Sequence, residues 1–148
     1  MNDLVSVIMS TYNSEATVSV AIESILEQSY SNVEFLIVDD ASNDNTVKII
    51  EEYCKISKNI KLFKNVENVG LTKNLNFLIN QSTGVFIARQ DDDDYSLPER
   101  LNVQVQTIKK YNLDFCSTRA LIIDTNKKIP NFSMYLPKKF VLKFKNPF

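Results

Sequence analysis

Apolar positions follow two rhythms along this chain. Residues 4–9 (LVSVIM) and 33–38 (VEFLIV) are nearly continuous aliphatic runs of strand length, as expected of strands covered on both faces. Between them Val18, Ala21, Ile22, Ile25 and Leu26 recur at helical spacing, which predicts an amphipathic helix over 17–28 lying on the sheet. The alternation then repeats: a helix over 46–55, a strand over 60–63, a helix over 71–81 carrying Leu71, Leu75, Leu78 and Ile79, and a strand over 85–88 after Gly84. Pro98 suits a first helical turn, and Leu101, Val105 and Ile108 carry a helical stripe to about Tyr111. Residues 115–123 are expected to form one or two further strands and 124–128 a turn. Strands alternating with helices imply an α/β fold, a mostly parallel sheet with right-handed crossovers and helices on both faces.

In such sheets ligands bind outside the carboxyl ends of the strands. Three polar clusters fall there: Ser10-Thr11-Tyr12-Asn13, Asp39-Asp40-Ala41-Ser42, and residues 89–94, RQDDDD. If the strands are neighbours, all three line one crevice. The four aspartates are the least expected, because carboxylates about 5 Å apart repel by roughly 3 kcal/mol at an effective dielectric near 20. The cluster must be solvated or neutralised.

Composition narrows the chemistry. The chain has 148 residues, 44% of them hydrophobic, enough for one sizeable core. Its 17 basic and 18 acidic residues nearly cancel, so no global field points to nucleic acid. Histidine is absent, which removes the commonest general base and every imidazole metal site and leaves acid–base work to carboxylates. Gly70 and Gly84 are the only glycines, too few for a glycine-rich phosphate loop or a dinucleotide fingerprint. Cys54 and Cys116 lack zinc-type spacing and fit a reducing compartment as small buried hydrophobes. The amino terminus lacks a basic, signal-like segment, and no run approaches the roughly 20 apolar residues of a membrane span. A cytoplasmic protein is expected.

In extended chain Asp91 and Asp93 share a face. That pair suits a hard divalent cation, which prefers oxygen ligands and, for magnesium, takes one or two carboxylates plus phosphate oxygens of a substrate. The bland alternative is a solvated acidic turn. Asp39 is a candidate acceptor for a nucleobase N–H, with Asp40 bracing the loop; capping of the next helix competes, with Asp44 or Asn45 the better caps. Tyr12 offers an aromatic face for a base, and Lys73, near a helix start, could reach a phosphate. Arg89 and Arg100 flank the aspartates and offset their charge, Arg100 as a structural residue.

Taken together, VSVIMSTYNSEATVSVAIESILEQSYSNVEFLIVDDASNDNT, NVENVGLTKNLN and GVFIARQDDDDYSLPERL resemble the nucleotide-binding half of family 2 glycosyltransferases of the GT-A, Rossmann-like three-layer fold. The resemblance spans about 4–125, so 1–125 is expected to be the nucleotide-sugar-binding domain and 126–148 the start of an acceptor-side region or tail of an apparently truncated chain. It implies transfer of a sugar, often from a uridine-linked donor, with inversion and with dependence on Mn²⁺ or Mg²⁺. The acceptor would be a saccharide or a lipid-linked acceptor in polysaccharide or glycolipid synthesis. The family's base-binding aspartate maps onto Asp39 and its first loop onto Thr11, Tyr12 and Asn13. Its D-x-D-D pattern maps onto Asp91 to Asp94, with Asp93 for the metal, Asp91 for the ribose or diphosphate side and Asp92 at the variable position. The family's catalytic base lies beyond the metal motif, outside this chain, so no base is assigned.

That leaves a non-catalytic nucleotide-sugar-binding module as the alternative, and a phosphatase or nucleotidyltransferase using the same aspartates as a third reading. In the tail, Phe140, Leu142 and Phe144 alternate with Lys139, Lys143 and Lys145. This is a strand-like pattern whose apolar face needs a cover, between chains in a homo-oligomer or at the inner face of the cell membrane.

Overall fold

The computed structural model describes residues 3–118. The chain divides into two compact units, Met1–Asn102 and Val103–Phe148. The first holds a four-stranded sheet of β1 (Val5–Thr11), β2 (Val33–Asp39), β3 (Ile60–Lys64) and β4 (Phe86–Arg89), in the order β3-β2-β1-β4 with every neighbouring pair parallel. Three helices connect them: α1 (Val18–Leu26), α2 (Thr46–Ile56) and α3 (Leu71–Gln81). A fourth helix, α4 (Arg100–Tyr111), crosses the boundary between the units.

The central strands are buried on both faces, which is why β1 and β2 lack polar alternation; Val7, Met9, Leu36, Ile37 and Val38 are inaccessible to solvent. On one face Ile8, Leu36 and Val38 receive Leu78 of α3, with Phe63, Leu75 and Ile79 around it. Phe63 and Phe77 meet edge to face at 5.1 Å. The helices α1 and α2 pack against each other. They follow consecutive right-handed crossovers and so lie on the opposite face from α3, giving three layers. The chain reverses direction across the sheet after β3, and β1 and β4 become neighbours. The C-terminal ends of β1, β2 and β4 therefore share one rim, with β1 in the middle.

At the opposite end of the sheet a single carboxylate ties three segments together. Glu34 Oε1 accepts hydrogen bonds from Ser6 Oγ (2.7 Å), Thr83 N–H (2.7 Å) and Thr83 Oγ1 (2.8 Å), and Lys61 Nζ lies 3.3 Å from Oε2. Burial by itself would raise this carboxyl, but the bonds from Ser6, Thr83 and Lys61 carry it down to about 2. Gly84 closes the arrangement. Its N–H donates to Ser6 Oγ at 2.8 Å, and a Cβ there would sit 2.7 Å from Ser6 N and 2.8 Å from the Leu4 carbonyl oxygen.

Three expectations differ in detail. Pro98 lies ahead of α4 rather than in its first turn: the Arg100 N–H donates to the Leu97 carbonyl at 2.9 Å, so Pro98 takes the second position of a β-turn, where its fixed φ fits. The Leu101 N–H is capped instead by Gln28 Oε1 at 3.0 Å. Residues 115–118 are irregular, without the ladder partner a strand needs. The remainder of that expected strand, the turn at 124–128, the boundary at 125 and the alternating tail lie outside the described residues. Cys54 and Cys116 are free and half-buried, and burial raises both thiols. Among the described residues no helix is long and apolar enough to cross a membrane.

Candidate functional site

The shared rim carries an open cavity of about 350 Å³ lined by Ser10, Thr11, Tyr12, Asp40, Asn68, Gly70, Leu71 and Asp92. These residues come from the end of β1, the loops after β1, β2, β3 and β4 and the first residue of α3, which converge because β1 lies inside the sheet.

Each loop is fixed by hydrogen bonds to another. The β1–α1 loop turns at Asn13, whose φ of 53° lies in the left-handed region that Asn tolerates. From there it zips onto the β2–α2 loop. Asn13 N–H donates to Ser42 Oγ (2.9 Å), Asn43 N–H to Asn13 Oδ1 (2.8 Å), Ser14 N–H to Thr46 Oγ1 (2.7 Å) and Glu15 N–H to Asp44 Oδ2 (3.0 Å). Asp44 also caps α2, its Oδ1 accepting from Thr46 N–H at 2.9 Å, whereas the Asn45 side chain does not cap.

The two strand-end aspartates diverge. Asp39 is 2% exposed. It points into its own loop, accepting from Ser42 N–H (2.9 Å), Ser42 Oγ (2.5 Å) and Thr11 Oγ1 (3.3 Å), and does not line the cavity. Asp40 does line it. Its Oδ1 accepts from Asn65 Nδ2 (2.8 Å) and Val69 N–H (2.9 Å), and its Oδ2 from Gly70 N–H (2.9 Å). Burial opposes ionisation, but the donors at Val69, Asn65, Asn74 and Gly70 hold the Asp40 carboxyl below the ordinary carboxylate range. The Asn65–Asn74–Ser10 chain of side-chain bonds (2.8 and 3.1 Å) then ties the β3–α3 loop back to β1. Ala41, which follows Asp40, holds a φ of 63° in the left-handed region as the chain turns back to Ser42.

The aspartate run does not continue as extended chain. Asp94 N–H donates to the Asp91 carbonyl at 3.3 Å, and buried Gln90 clamps the resulting turn with Nε2 on the carbonyls of Asp91 (3.1 Å) and Asp94 (2.7 Å). A turn breaks the two-residue alternation that would have placed Asp91 beside Asp93. Asp91 instead forms a bidentate pair with Arg89, 2.8 Å from Nε and 2.9 Å from Nη2. Asp92, expected at a variable position, is the one that turns into the cavity, its Oδ2 accepting from Tyr12 N–H (3.3 Å) and closely from Ser14 Oγ. Asp93 is exposed at the turn, and Asp94 is held above the ordinary range by burial and by the charges of Asp91 and Asp93. Arg100 is structural, as expected, with Nη1 on the Arg89 carbonyl (3.3 Å) and Nη2 on Gln90 Oε1 (3.2 Å).

Of the residues singled out from sequence, Thr11, Tyr12 and Asp92 line the cavity. Asn13 and Asp39 support its loops, Asp91 is turned to Arg89, and Lys73 is exposed on the first turn of α3, outside the lining. Sequence reasoning passed over Asn68 and Leu71 as lining residues, and Gln28 and Gln90 as buried clamps. Nothing in the local pattern around the two glutamines distinguishes them from surface residues. For Asn68 and Leu71 the NVENVGLTKNLN segment was the available signal.

The donor set suits a hard divalent ion. Asp92 lines the cavity and its sequence neighbour Asp93 is exposed in the turn, so these carboxylate oxygens are the ones that could hold such an ion. Among the described residues no three acidic, histidine or cysteine side chains are gathered around one point, so the protein would supply one or two ligands of such an ion.

Fold and rim together define a crevice at the carboxyl ends of a parallel sheet, where such folds bind ligands, and comparison with known proteins gives the family. The model of glycosyl transferase family 2 matches residues 6–147, and the chain belongs to that family. EpsE of Bacillus subtilis (strain 168) is 45% identical over 122 residues, covering 81% of this chain and 44% of EpsE. The UDP-Glc:alpha-D-GlcNAc-diphosphoundecaprenol beta-1,3-glucosyltransferase WfgD of Escherichia coli is 36% identical over 129 residues, covering 87% of this chain and 50% of WfgD. Among solved structures, residues 1–349 of S. aureus TarS in complex with UDP-GlcNAc superimpose with a TM-score of 0.70 at 33% identity, covering 74% of this chain and 32% of that one. The fold is thus GT-A, and the chain spans about half or less of the length of these relatives.

Proposed function

We propose that this chain forms the donor-binding part of a divalent-metal-dependent, inverting glycosyltransferase that takes its sugar from a UDP-sugar and passes it to a saccharide or lipid-linked acceptor hydroxyl. The observation that carries the reading is the cavity between Tyr12, Asp40, Asn68, Leu71 and Asp92 at the C-terminal rim of a parallel sheet, where this class of fold places nucleotides. The UDP-GlcNAc bound to TarS and the UDP-Glc in the name of WfgD support the choice of donor.

Tyr12 and Leu71 give the base apolar surface, and Asp40, with one lone pair of Oδ2 unclaimed by Gly70, accepts from a base N–H. This moves the base-recognising role from Asp39, which the loop itself consumes, to its neighbour. Asp92 and Asp93 would hold the metal on the diphosphate side of the cavity. When bound, the ion neutralises the diphosphate and stabilises it as a leaving group. The acceptor oxygen forms its bond to the anomeric carbon as the bond from that carbon to the phosphate oxygen breaks; UDP departs with the electron pair, and the hydroxyl proton passes to a general base that is not assigned among the described residues.

Isothermal titration of the chain with UDP, in MnCl₂ and in EDTA, tests this. Binding is expected in manganese, weakened about tenfold or more by EDTA and by Asp93→Ala. Equal affinity under all three conditions, or no binding in manganese, overturns the proposal.

A further inference from the structure

The donor reading leaves one polar residue unexplained. Ser14 follows the left-handed Asn13 and is nearly buried, 9% exposed, yet it is not a lining residue. Three of its groups are committed. Its N–H donates to Thr46 Oγ1 at 2.7 Å, its carbonyl accepts from Thr17 N–H (3.0 Å) and Val18 N–H (2.9 Å) at the entry to α1, and its hydroxyl lies against Asp92 Oδ2, 78 residues away in sequence. A serine hydroxyl carries a single proton. The Tyr12 carbonyl, at 3.3 Å, is the other acceptor within reach, and the ionised carboxylate is both nearer and the stronger partner.

We infer that Ser14 is a positioning residue of the donor site, and that it works through Asp92. Asp92 sits in a turn whose backbone is clamped by Gln90, but a turn fixes Cα, not χ1 and χ2. The Ser14 hydroxyl and the Tyr12 N–H both address Oδ2, and among the described residues Oδ1 has no donor. The carboxylate is therefore held by one oxygen, with the other left for a ligand. Because Ser14 is itself locked to the start of α1 and to Thr46 at the start of α2, the orientation of Asp92 is referred to two helices as well as to its own turn. A site preorganised in this way loses less side-chain entropy when it closes on a ligand.

The inference rests on the donor reading, and its test separates the two. UDP affinity in MnCl₂ is measured by titration for wild type, Ser14→Ala, Ser14→Thr, Asp92→Asn and the Ser14→Ala/Asp92→Asn double variant. Glu15→Ala serves as a control, since it removes the carboxylate that accepts from Asn45 N–H and Nδ2 (both 2.9 Å) and so loosens the same loop without touching Asp92. Ser14→Ala is expected to weaken UDP binding about 5- to 30-fold, Ser14→Thr to restore most of it, and Ser14→Ala to add less than about twofold in the Asp92→Asn background. Glu15→Ala is expected to leave affinity within about twofold. If wild type fails to bind UDP, the donor reading falls and the inference with it. If wild type binds and Asp92→Asn weakens binding, but Ser14→Ala has no effect, matches Glu15→Ala, or is additive with Asp92→Asn, the positioning role alone is refuted.

Discussion

Replacing Glu34 by glutamine isolates the buried carboxylate that joins β1, β2 and the turn before β4 at the end of the sheet away from the cavity. Glutamine keeps the shape and one carbonyl oxygen for Ser6 and Thr83, but removes the charge that strengthens those bonds and turns an amide towards Lys61. In the folded chain the Glu34 carboxyl is carried from 4.5 down to about 2. That interval corresponds to about 3 kcal/mol of stability at neutral pH, an upper figure because some unfolded-state order and the exposed Lys61 end reduce it. The sign follows from the direction: a carboxyl depressed on folding contributes fully above the unfolded value and loses its contribution as the pH falls from about 4.5 towards 2. Urea unfolding followed by far-ultraviolet circular dichroism at several pH values is the assay. Glu34→Gln is expected to lower the unfolding free energy by about 2–3 kcal/mol at pH 7, and the gap to wild type is expected to narrow steadily below pH 4.5. A variant within about 0.5 kcal/mol of wild type at pH 7, or a gap that persists unchanged at low pH, refutes the reasoning.

Two backbone positions give sharper, opposite expectations. Ala41 holds a φ of 63° without a glycine's freedom, so Ala41→Gly is expected to raise stability by about 0.5–1 kcal/mol, read as a higher urea midpoint at unchanged slope; a lower midpoint contradicts it. Gly84→Ala would force a Cβ to within 2.7 Å of the Ser6 backbone nitrogen, where the contact is main chain and cannot swing away, and is expected to cost about 2–3 kcal/mol. A Gly84→Ala variant as stable as wild type would mean that β4 can slide off β1 without loss.

The elements of the sheet were legible because burial on both faces leaves long aliphatic runs with little else to fold into, as in LVSVIM and VEFLIV. Helices α1 and α3 were legible for a related reason: one side of each must face the sheet, and the 3.6-residue period records that demand. The bounds of α3 are those expected, whereas α1 runs Val18–Leu26 rather than 17–28 and α4 starts only after Pro98, where Gln28 caps the Leu101 N–H. The site was legible as a location but less so as a set of atoms. Which of Asp39 and Asp40 reaches the cavity depends on the left-handed Ala41 and on donors from residues 65–70, neither visible in a DD dipeptide. The same holds for the aspartate run, where an expected extended pairing of Asp91 with Asp93 gives way to a turn fixed by Gln90. Arg89, two residues before Asp91, then takes the first carboxylate for itself. Hydrogen bonds that span some 70–80 positions, such as Ser14 to Asp92 and Gln28 to Leu101, leave no local trace.

On the proposed function a metal-bound diphosphate sits at the C-terminal rim against Asp92 and Asp93, and paramagnetic broadening locates it. In nuclear magnetic resonance spectra of the isotope-labelled chain with UDP, substoichiometric Mn²⁺ is expected to broaden the amide signals of Tyr12, Asn68 and Asp91 to Asp94. Glu34 and Thr83, about 20 Å away at the other end of the strands, are expected to keep theirs. Uniform broadening, or broadening centred anywhere other than the 91–94 turn, would contradict the account.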